Sequence, residues 1–375
     1  MSKKFKEAKS RFEMQGYTNL FASGSIDLTY IEQELNLIPT VSCELVPIRA
    51  RWTREVIGHP QETEVVCGDI SDKATFEKLV KLHLAKGNVG VKASPVCRDF
   101  TLANTKRDPN SKRANLYKYV LEFVRRTSPV WVVIENSDQM MKIKVGGKIV
   151  GMKIVDALKA MGYYVDYGVQ DCCWFNTPQH RRRTIIIGHK YKQCHLPKPG
   201  INLIKLRDSI GHLPVLECGQ KSTIKWHDAS MFTWSKQQIE VMRHTPTGCS
   251  AKYNPAPWKP CNKDGSISHA AFDCAFQRRA WDDACNTLLQ DSKSISGFRT
   301  CHPGNLVGYD SHGLPLYDSP RPLTVLEIYI VTGIDPDENG DLPIPAWASD
   351  NLIRQMIGEC WAPRHCLEVM RSVAR

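Results

Sequence analysis

Short apolar runs alternate with longer stretches of helical periodicity through the first half of the chain. Residues 1–16 read as a charged helix or arm. Tyr17–Ser25 is an apolar run that breaks into small residues, and a helix-like pattern follows to Leu37. Thr40–Glu44 reads as a second strand ending on an acid, and Pro47–Ile57 as a helix. Thr63–Cys67 is a third strand, closed by Gly68-Asp69-Ile70, and Lys73–Lys86 is helical. Asn88–Ala93 is a fourth strand, Ala114–Thr127 a helix, and Trp131–Glu135 a near-continuous apolar strand of the kind buried on both faces. Lys153–Met161 is helical, and Tyr163–Cys172 with Arg183–Gly188 is expected to close the sheet as an antiparallel pair. Five-residue strands separated by helices of ten or more residues predict parallel βαβ units, hence an α/β fold.

After Lys190 the pattern changes. Pro, Gly, Ser and Trp become frequent and helical periodicity fades until about residue 318. Helical patterns resume at Leu323–Thr332 and Asp350–Val373. The expected organisation is a catalytic and cofactor-binding part at 1–190, an irregular second domain at 191–318, and a C-terminal part at 319–375 that returns to the first domain.

Charge sharpens that division. The chain of 375 residues carries a formal net charge of +11. Lys190–Thr300 holds 16 Lys and Arg against 9 Asp and Glu, together with four of the nine tryptophans. A basic, aromatic-bearing segment suits a polyphosphate partner, although a soluble basic surface over core tryptophans has the same composition. No apolar stretch approaches the roughly 20 residues of a spanning helix, so no membrane association is expected. The basic N-terminus has no apolar segment after it, which argues against a secretory signal. The 14 cysteines contain no CxxC pair, and Cys261, His269 and Cys274 are too sparse for a tetrahedral metal site. Reduced intracellular thiols and no metal are expected.

Ligands of an open parallel sheet bind at the carboxyl ends of its strands. The residues there, in order, are the turn Phe21-Ala22-Ser23-Gly24-Ser25, then Glu44, Asp69, Pro95-Val96-Cys97, and Glu135-Asn136. A tight turn followed by acids at two successive strand ends suits a nucleoside cofactor, with one acid for ribose hydroxyls and one for an adenine amine. Singly, each acid is more often a solvated helix cap. Cys97 sits in a polar strand-end loop beside Arg98, where a thiolate nucleophile would stand opposite the carboxyl group of Glu135. Alternate residues of an extended segment share a face, so Gln179, Arg181 and Arg183 are expected to point one way.

The order of these motifs resembles the cytosine-C5 DNA methyltransferases. Phe21–Ser25 is similar to that family's Phe-x-Gly-x-Gly turn, Glu44 to its ribose-binding acid, and Gly68-Asp69-Ile70 to its adenine-binding loop. Ser94-Pro95-Val96-Cys97-Arg98-Asp99-Phe100-Thr101 resembles the nucleophile loop, and Ile134-Glu135-Asn136-Ser137 the Glu-Asn-Val motif. Gln179, Arg181 and Arg183 match Gln-x-Arg-x-Arg. Arg321–Thr324 with Glu327, and Gln355–Pro363, resemble the two closing motifs. The chain departs from the pattern at Ser23, Ser25, Val96, Arg98 and Glu359.

The resemblance implies a Rossmann-like, S-adenosylmethionine-dependent sheet with helices on both faces, and a target-recognition domain in the divergent middle. It implies Cys97, Glu135, Arg181 and Arg183 as catalytic residues, and Arg98, Asn136 and Gln179 as substrate contacts. Phe21, Ala22, Ser23, Gly24, Ser25, Glu44, Asp69, Ile70, Pro95, Glu359 and Cys360 would line the cofactor. The expected partner is double-stranded DNA with the target cytosine flipped out. The expected setting is a cytoplasmic monomer, bacterial or encoded by a phage, within restriction-modification or outside it. A tRNA-methylating branch, favoured by Phe100-Thr101, and a non-catalytic DNA-binding protein on the same scaffold stay open at this point, as does a modified sulfonium donor.

Overall fold

The computed structural model describes residues 14–56, 62–97, 99–100, 106, 108–200, 202–262, 264–266, 268 and 275–374. Two compact units emerge. The first takes the chain up to Asp171, Arg182–Gly200, and the chain from Pro363. The second takes Cys172–Arg181 and Ile201–Ala362.

The first unit carries the predicted alternation: β1 (Gln15–Leu20), α1 (Ile31–Leu35), β2 (Leu37–Glu44), α2 (Pro47–Val56), β3 (Glu64–Cys67), α3 (Lys73–Ala85), β4 (Gly90–Ala93), α4 (Tyr117–Thr127), β5 (Trp131–Ser137), α5 (Val150–Ala160), β6 (Tyr164–Asp171) and β7 (Arg182–His189). Local sequence explains the helix limits. The Asp72 carboxylate caps α3 by accepting from the Thr75 amide at 2.9 Å. On α4, Tyr117, Val120, Phe123, Val124 and Thr127 recur at the three-and-four spacing of one buried face, and Ser128 ends the helix in a left-handed conformation. The expected basic arm lies outside the described residues, except that Gln15 and Gly16 begin β1.

The strands form one sheet in the order β3-β2-β1-β4-β5-β7-β6. β3, β2, β1, β4 and β5 run parallel, and β7 pairs antiparallel with both β5 and β6. All seven residues of β5 are buried. Val91, Val132, Ile134 and Ile186 of the sheet share one core with Leu79, Phe123 and Ile154 of the helices. The strand order reverses between β1 and β4, the point at which the crossovers leave for opposite faces. A crevice at the carboxyl ends of these two strands follows from that reversal.

The second unit has little regular structure: α6 (Leu206–Ile210), α7 (Lys236–Arg243), the hairpin β8 (Leu306–Tyr309) and β9 (Pro315–Tyr317), α8 (Val325–Thr332) and α9 (Asp350–Glu359). Buried arginines join its loops. Arg278 donates to the carbonyls of Met242 and His302 at 2.9–3.0 Å, and Arg321 grips Glu327 through two bonds of 2.8 and 2.9 Å. The expected helix Asp350–Val373 is broken, because Pro363 has no N–H to continue it and starts a separate C-terminal helix, Pro363–Ala374. Residues 319–362, expected to return to the first domain, group with the second unit. Arg354 of α9 bonds the Leu323 carbonyl at 2.9 Å and Ser292 Oγ at 3.3 Å. Cys172–Arg181 groups there as well. Among the described residues, no helix is long and apolar enough to cross a membrane.

A polar chain crosses the base of the first unit. Thr40 Oγ1 donates to Asn88 Oδ1, Asn88 Nδ2 to Thr18 Oγ1, and Thr18 Oγ1 lies 2.8 Å from His83 Nδ1. Burial pushes the His83 imidazole down to about 4. The folded protein therefore binds fewer protons there than the unfolded chain, so this contribution to stability is complete above the unfolded value of about 6.5 and falls away between there and about 4. Unfolding free energy measured from pH 7 to pH 4 should decline over this window, and His83→Gln should flatten the decline.

Candidate active site

The reversal between β1 and β4 places two loops side by side. After β1, the chain turns through Phe21, Ser23, Gly24 and Ser25 with φ of 61°, 40°, 78° and 57°. Three of these four residues carry a side chain in the left-handed region, a strained backbone held from outside. The Ala22 amide bonds the Cys43 carbonyl at 2.9 Å, and the Ser23 amide donates to Glu44 Oε2 at 2.8 Å. Asn19 Nδ2 donates to Ser25 Oγ at 3.2 Å. Glu44, at the end of β2, also accepts from the Val46 amide through Oε1 at 2.9 Å. A carboxylate has about four acceptor sites, so two remain on Glu44 for hydroxyl groups. At the end of β3, Asp69 is exposed and accepts its local Ser71 amide at 2.8 Å, while Ile70 is buried.

Sequence reading missed the group between the two loops. Lys92 on β4 is 1% exposed, and its ammonium meets Asp27 Oδ2 at 2.5 Å and Asn19 Oδ1 at 3.2 Å. Ser94 Oγ lies at 3.5 Å. Burial alone would lower the Lys92 ammonium. The Asp27 carboxylate, helped by Glu135, more than reverses this and holds it above its ordinary value. A single charged residue inside the run Val89–Ala93 was the available signal, but its partner is 65 residues away on the other strand's exit.

The loop after β4 leaves as Ser94-Pro95-Val96-Cys97. The Cys97 thiol is half-buried, and the Cys97 carbonyl accepts from the amide of buried Phe100 at 2.8 Å. Arg98 and Thr101 lie outside the described residues. Asp99 is buried and accepts two bonds from Arg113 at 2.9 and 3.0 Å and one from Ser111 Oγ at 2.5 Å. These contacts join Asp99 to the segment just before α4.

β5 supplies the opposing group. Glu135 stands opposite Ile185 of β7, and Arg183 stands two residues away, opposite Ser137, so the two side chains are diagonal neighbours on one face. Glu135 Oε1 lies 2.7 Å from Arg183 Nε. Asn136, expected as a substrate contact, is engaged within the fold. Its Nδ2 donates to the Pro95 carbonyl at 2.7 Å and its Oδ1 accepts from the Ser137 amide, fully buried. It is a brace between β5 and the Cys97 loop.

Gln179 and Arg181 both bond the backbone of Leu288, while Arg183 meets Glu135. β7 begins at Arg182, so Arg183 alone of the three lies on it. Gln179 is buried in the second unit, where Nε2 donates to the Val331 carbonyl at 3.3 Å. Arg181 is also buried there and donates to the carbonyls of Leu288 and Gly358 at 3.0 and 2.8 Å. Its two terminal nitrogens hold these two backbone carbonyls together. Gly358 meets it because no larger residue fits: a Cβ there would stand 2.4 Å from the Gln290 nitrogen. Glu359 accepts from Gln290 Nε2, and Cys360 is buried with its thiol on the Ile357 carbonyl.

One further group behind Glu135 and Arg183 had no signal in the sequence. His365, two residues into the C-terminal helix, bonds Gln170 Oε1 through Nε2 at 3.0 Å, and Gln170 stands opposite Arg183 across the β6–β7 pair. Burial, then the Arg183 charge, push His365 down to about 3 despite Asp171. It is a neutral wall beside the arginine.

A family model of C-5 cytosine-specific DNA methylases matches residues 59–373. The chain belongs to this family. It is 30% identical over 367 residues to the type II methyltransferase M1.HgaI of Avibacterium volantium, covering 95% of this chain and 97% of the relative. The type II methyltransferase M1.HphI of Haemophilus parahaemolyticus is 28% identical over 174 residues, 45% of this chain and 46% of the relative. The solved structure of the Entamoeba histolytica methyltransferase EhMeth matches 96% of this chain and 98% of its own at a TM-score of 0.60, with 14% identity, a likeness of fold. The methylase is therefore an enzyme of methyl transfer to cytosine, and its family implies DNA as substrate and S-adenosylmethionine as donor.

Two stability measurements test this site. Lys92→Met leaves the Asp27 carboxylate buried without its partner and should cost the methylase about 3–5 kcal/mol in denaturant unfolding, whereas Lys92→Met with Asp27→Leu should recover most of that. Ser23→Gly should raise unfolding free energy by about 1 kcal/mol, because glycine adopts the left-handed conformation without steric cost.

Proposed function

We propose that this methylase acts on double-stranded DNA through Cys97 as nucleophile, Glu135 as the acid facing it, and Arg183 as the group that orients Glu135. The observation that carries this reading is the hydrogen bond from Asn136 to the Pro95 carbonyl. It ties the residue next to Glu135 to the loop that bears Cys97, two positions on. The half-buried thiol and the 2.7 Å ion pair of Glu135 with Arg183 support it.

Carbon C5 of cytosine is a poor nucleophile because its ring is electron-poor. Addition of the Cys97 thiolate to C6 forms a sulfur–carbon bond and turns C5 into an enamine-like carbon. Glu135 holds a proton at N3 and accepts from the exocyclic amine, a pattern that thymine does not offer. Arg183 keeps the Glu135 carboxyl group in place and has terminal N–H groups for the base carbonyl. With a methyl group from the donor on C5, loss of the C5 proton would restore the C5–C6 double bond, break the sulfur–carbon bond and release Cys97 as a thiolate.

The turn Phe21–Ser25 and the free acceptor sites of Glu44 fit S-adenosylmethionine, with Asp69 and Ile70 at the next strand end. Bound there, it supplies an electrophilic methyl group. Glu359 and Cys360 are cofactor contacts only in the family pattern. The basic stretch 190–318, most of it in the second unit, would neutralise phosphates and read bases, offsetting the few kcal/mol needed to flip a base out of the stack.

Cys97→Ser should reduce methyl incorporation into DNA to background while leaving S-adenosylmethionine binding, measured by calorimetry, within a fewfold of wild type. Unimpaired transfer by that variant would remove Cys97 from the mechanism. Labelled-methyl incorporation into tRNA and not DNA would overturn the substrate.

A further inference from the structure

Arginines in the second unit are consistently occupied. Arg181, Arg278, Arg279 and Arg321 bond backbone carbonyls, Arg207, Arg243 and Arg354 face carboxylates, and Arg321 also holds Glu327. Among the described residues of this unit, Arg299 is the arginine with neither. Its side chain is half-buried, its Nε is buried without an acceptor, and its guanidinium lies over the Phe298 ring at 5.5 Å. Its backbone has φ of 47°, a conformation unfavourable for any residue with a side chain. The positive φ is a conformational cost; the buried Nε is one shared with Arg243 and Arg279, so what sets Arg299 apart is a guanidinium on neither a carbonyl nor a carboxylate.

The surroundings show that the arrangement is imposed. Ser294–Thr300 forms a tight turn, closed by Gly297 N–H to the Ser294 carbonyl at 2.9 Å and by Thr300 Oγ1 to the same oxygen at 2.6 Å. A Cβ at Gly297 would stand 2.8 Å from the Asp291 carbonyl, so the turn admits only glycine there. Both ends are pinned to one strand-like segment. Phe276 N–H bonds the Ile295 carbonyl at 2.9 Å, and Arg279 N–H bonds the Cys301 carbonyl at 3.0 Å. That segment is itself anchored by Arg278, buried on the Met242 and His302 carbonyls. Phe298, at the turn's tip, is exposed.

We infer that Arg299 is a base-reading residue that takes the O6 and N7 edge of a guanine in the recognised DNA sequence. The inference rests on the reading of the second unit as the DNA-contacting part. A planar fork of donors, fixed over a ring on a rigid turn, matches the two acceptors of guanine. The same fork also grips two oxygens of a phosphate, and the two occupants are separated by sequence preference and salt slope.

The test compares wild type with Arg299→Lys and Arg299→Gly on DNA of randomised sequence, with methylated positions read by bisulfite sequencing. Wild type should methylate cytosine in a context containing guanine at a defined position. Both variants should lose about 5- to 150-fold discrimination at that position and keep it elsewhere. Arg299→Lys keeps the charge, so its salt dependence should match wild type. Arg299→Gly should melt at or above the wild-type temperature, since glycine accepts the positive φ. Unchanged sequence preference in both variants would overturn the inference. So would a uniform loss across all sequences with a salt slope reduced by about one, the signature of a phosphate contact. A lowered melting temperature in Arg299→Gly would assign the residue to the fold instead. Failure of wild type to methylate any DNA would overturn the substrate reading beneath it, and is distinguished by the wild-type arm alone.

Discussion

An ammonium group cannot remain inside a protein without a counter-charge, and at the centre of this sheet Lys92 meets that constraint with Asp27. The pair sits where the strand order reverses. Lys92 precedes the loop bearing Cys97, and Asp27 follows the turn bearing Ser23 and Ser25, with Asn19 bonded to both Lys92 and Ser25. The turn after β1 and the loop after β4 are thus joined through one buried charge. Hydrocarbon at these positions would pack as well but would not specify how the two strand exits sit against each other.

The same logic is extended along the sheet. Glu135 and Arg183 are matched across β5 and β7, Asn136 ties β5 to the Pro95 loop, and His365 is kept neutral behind them by burial. Charge is paired at Lys92 and Asp27 and at Glu135 and Arg183, and removed at His365. The second unit solves a different problem. With few helices and one short hairpin, it has many carbonyls that no ladder satisfies, and buried guanidinium groups supply the missing donors. Arg299, on a turn that is as firmly held as any of them, has no such acceptor.

Alternation of apolar runs with helical periodicity made the first unit legible, because parallel strands need crossovers and buried strands need continuous hydrocarbon. Thr63–Cys67 and Trp131–Glu135 fall on strands within two residues of their expected limits. Cys97, Glu135 and Arg183 were visible as residue types at strand ends, and Glu44 with the Phe21–Ser25 turn likewise. The two-residue spacing of Gln179 and Arg181 did place them on one partner, Leu288, but did not reveal that partner's identity, which lies more than 100 residues on. The C-terminal pattern read as one helix because periodicity continues through Pro363, where the backbone cannot.

What the sequence determined by itself is what depends on neighbours along the chain: strand and helix alternation, the proline break, the placing of chemistry-bearing residues at strand exits, and the basic charge of the middle segment. Tertiary structure alone decided which of those residues share a partner. Lys92 and Asp27, Asn136 and Pro95, and Gln170 and His365 are far apart in sequence, so no periodicity links them. Their pairing depends on strand order and register, which are set by how the whole sheet buries its surface, and the strain at Arg299 depends on hydrogen bonds that close only once segment 276–279 is in place.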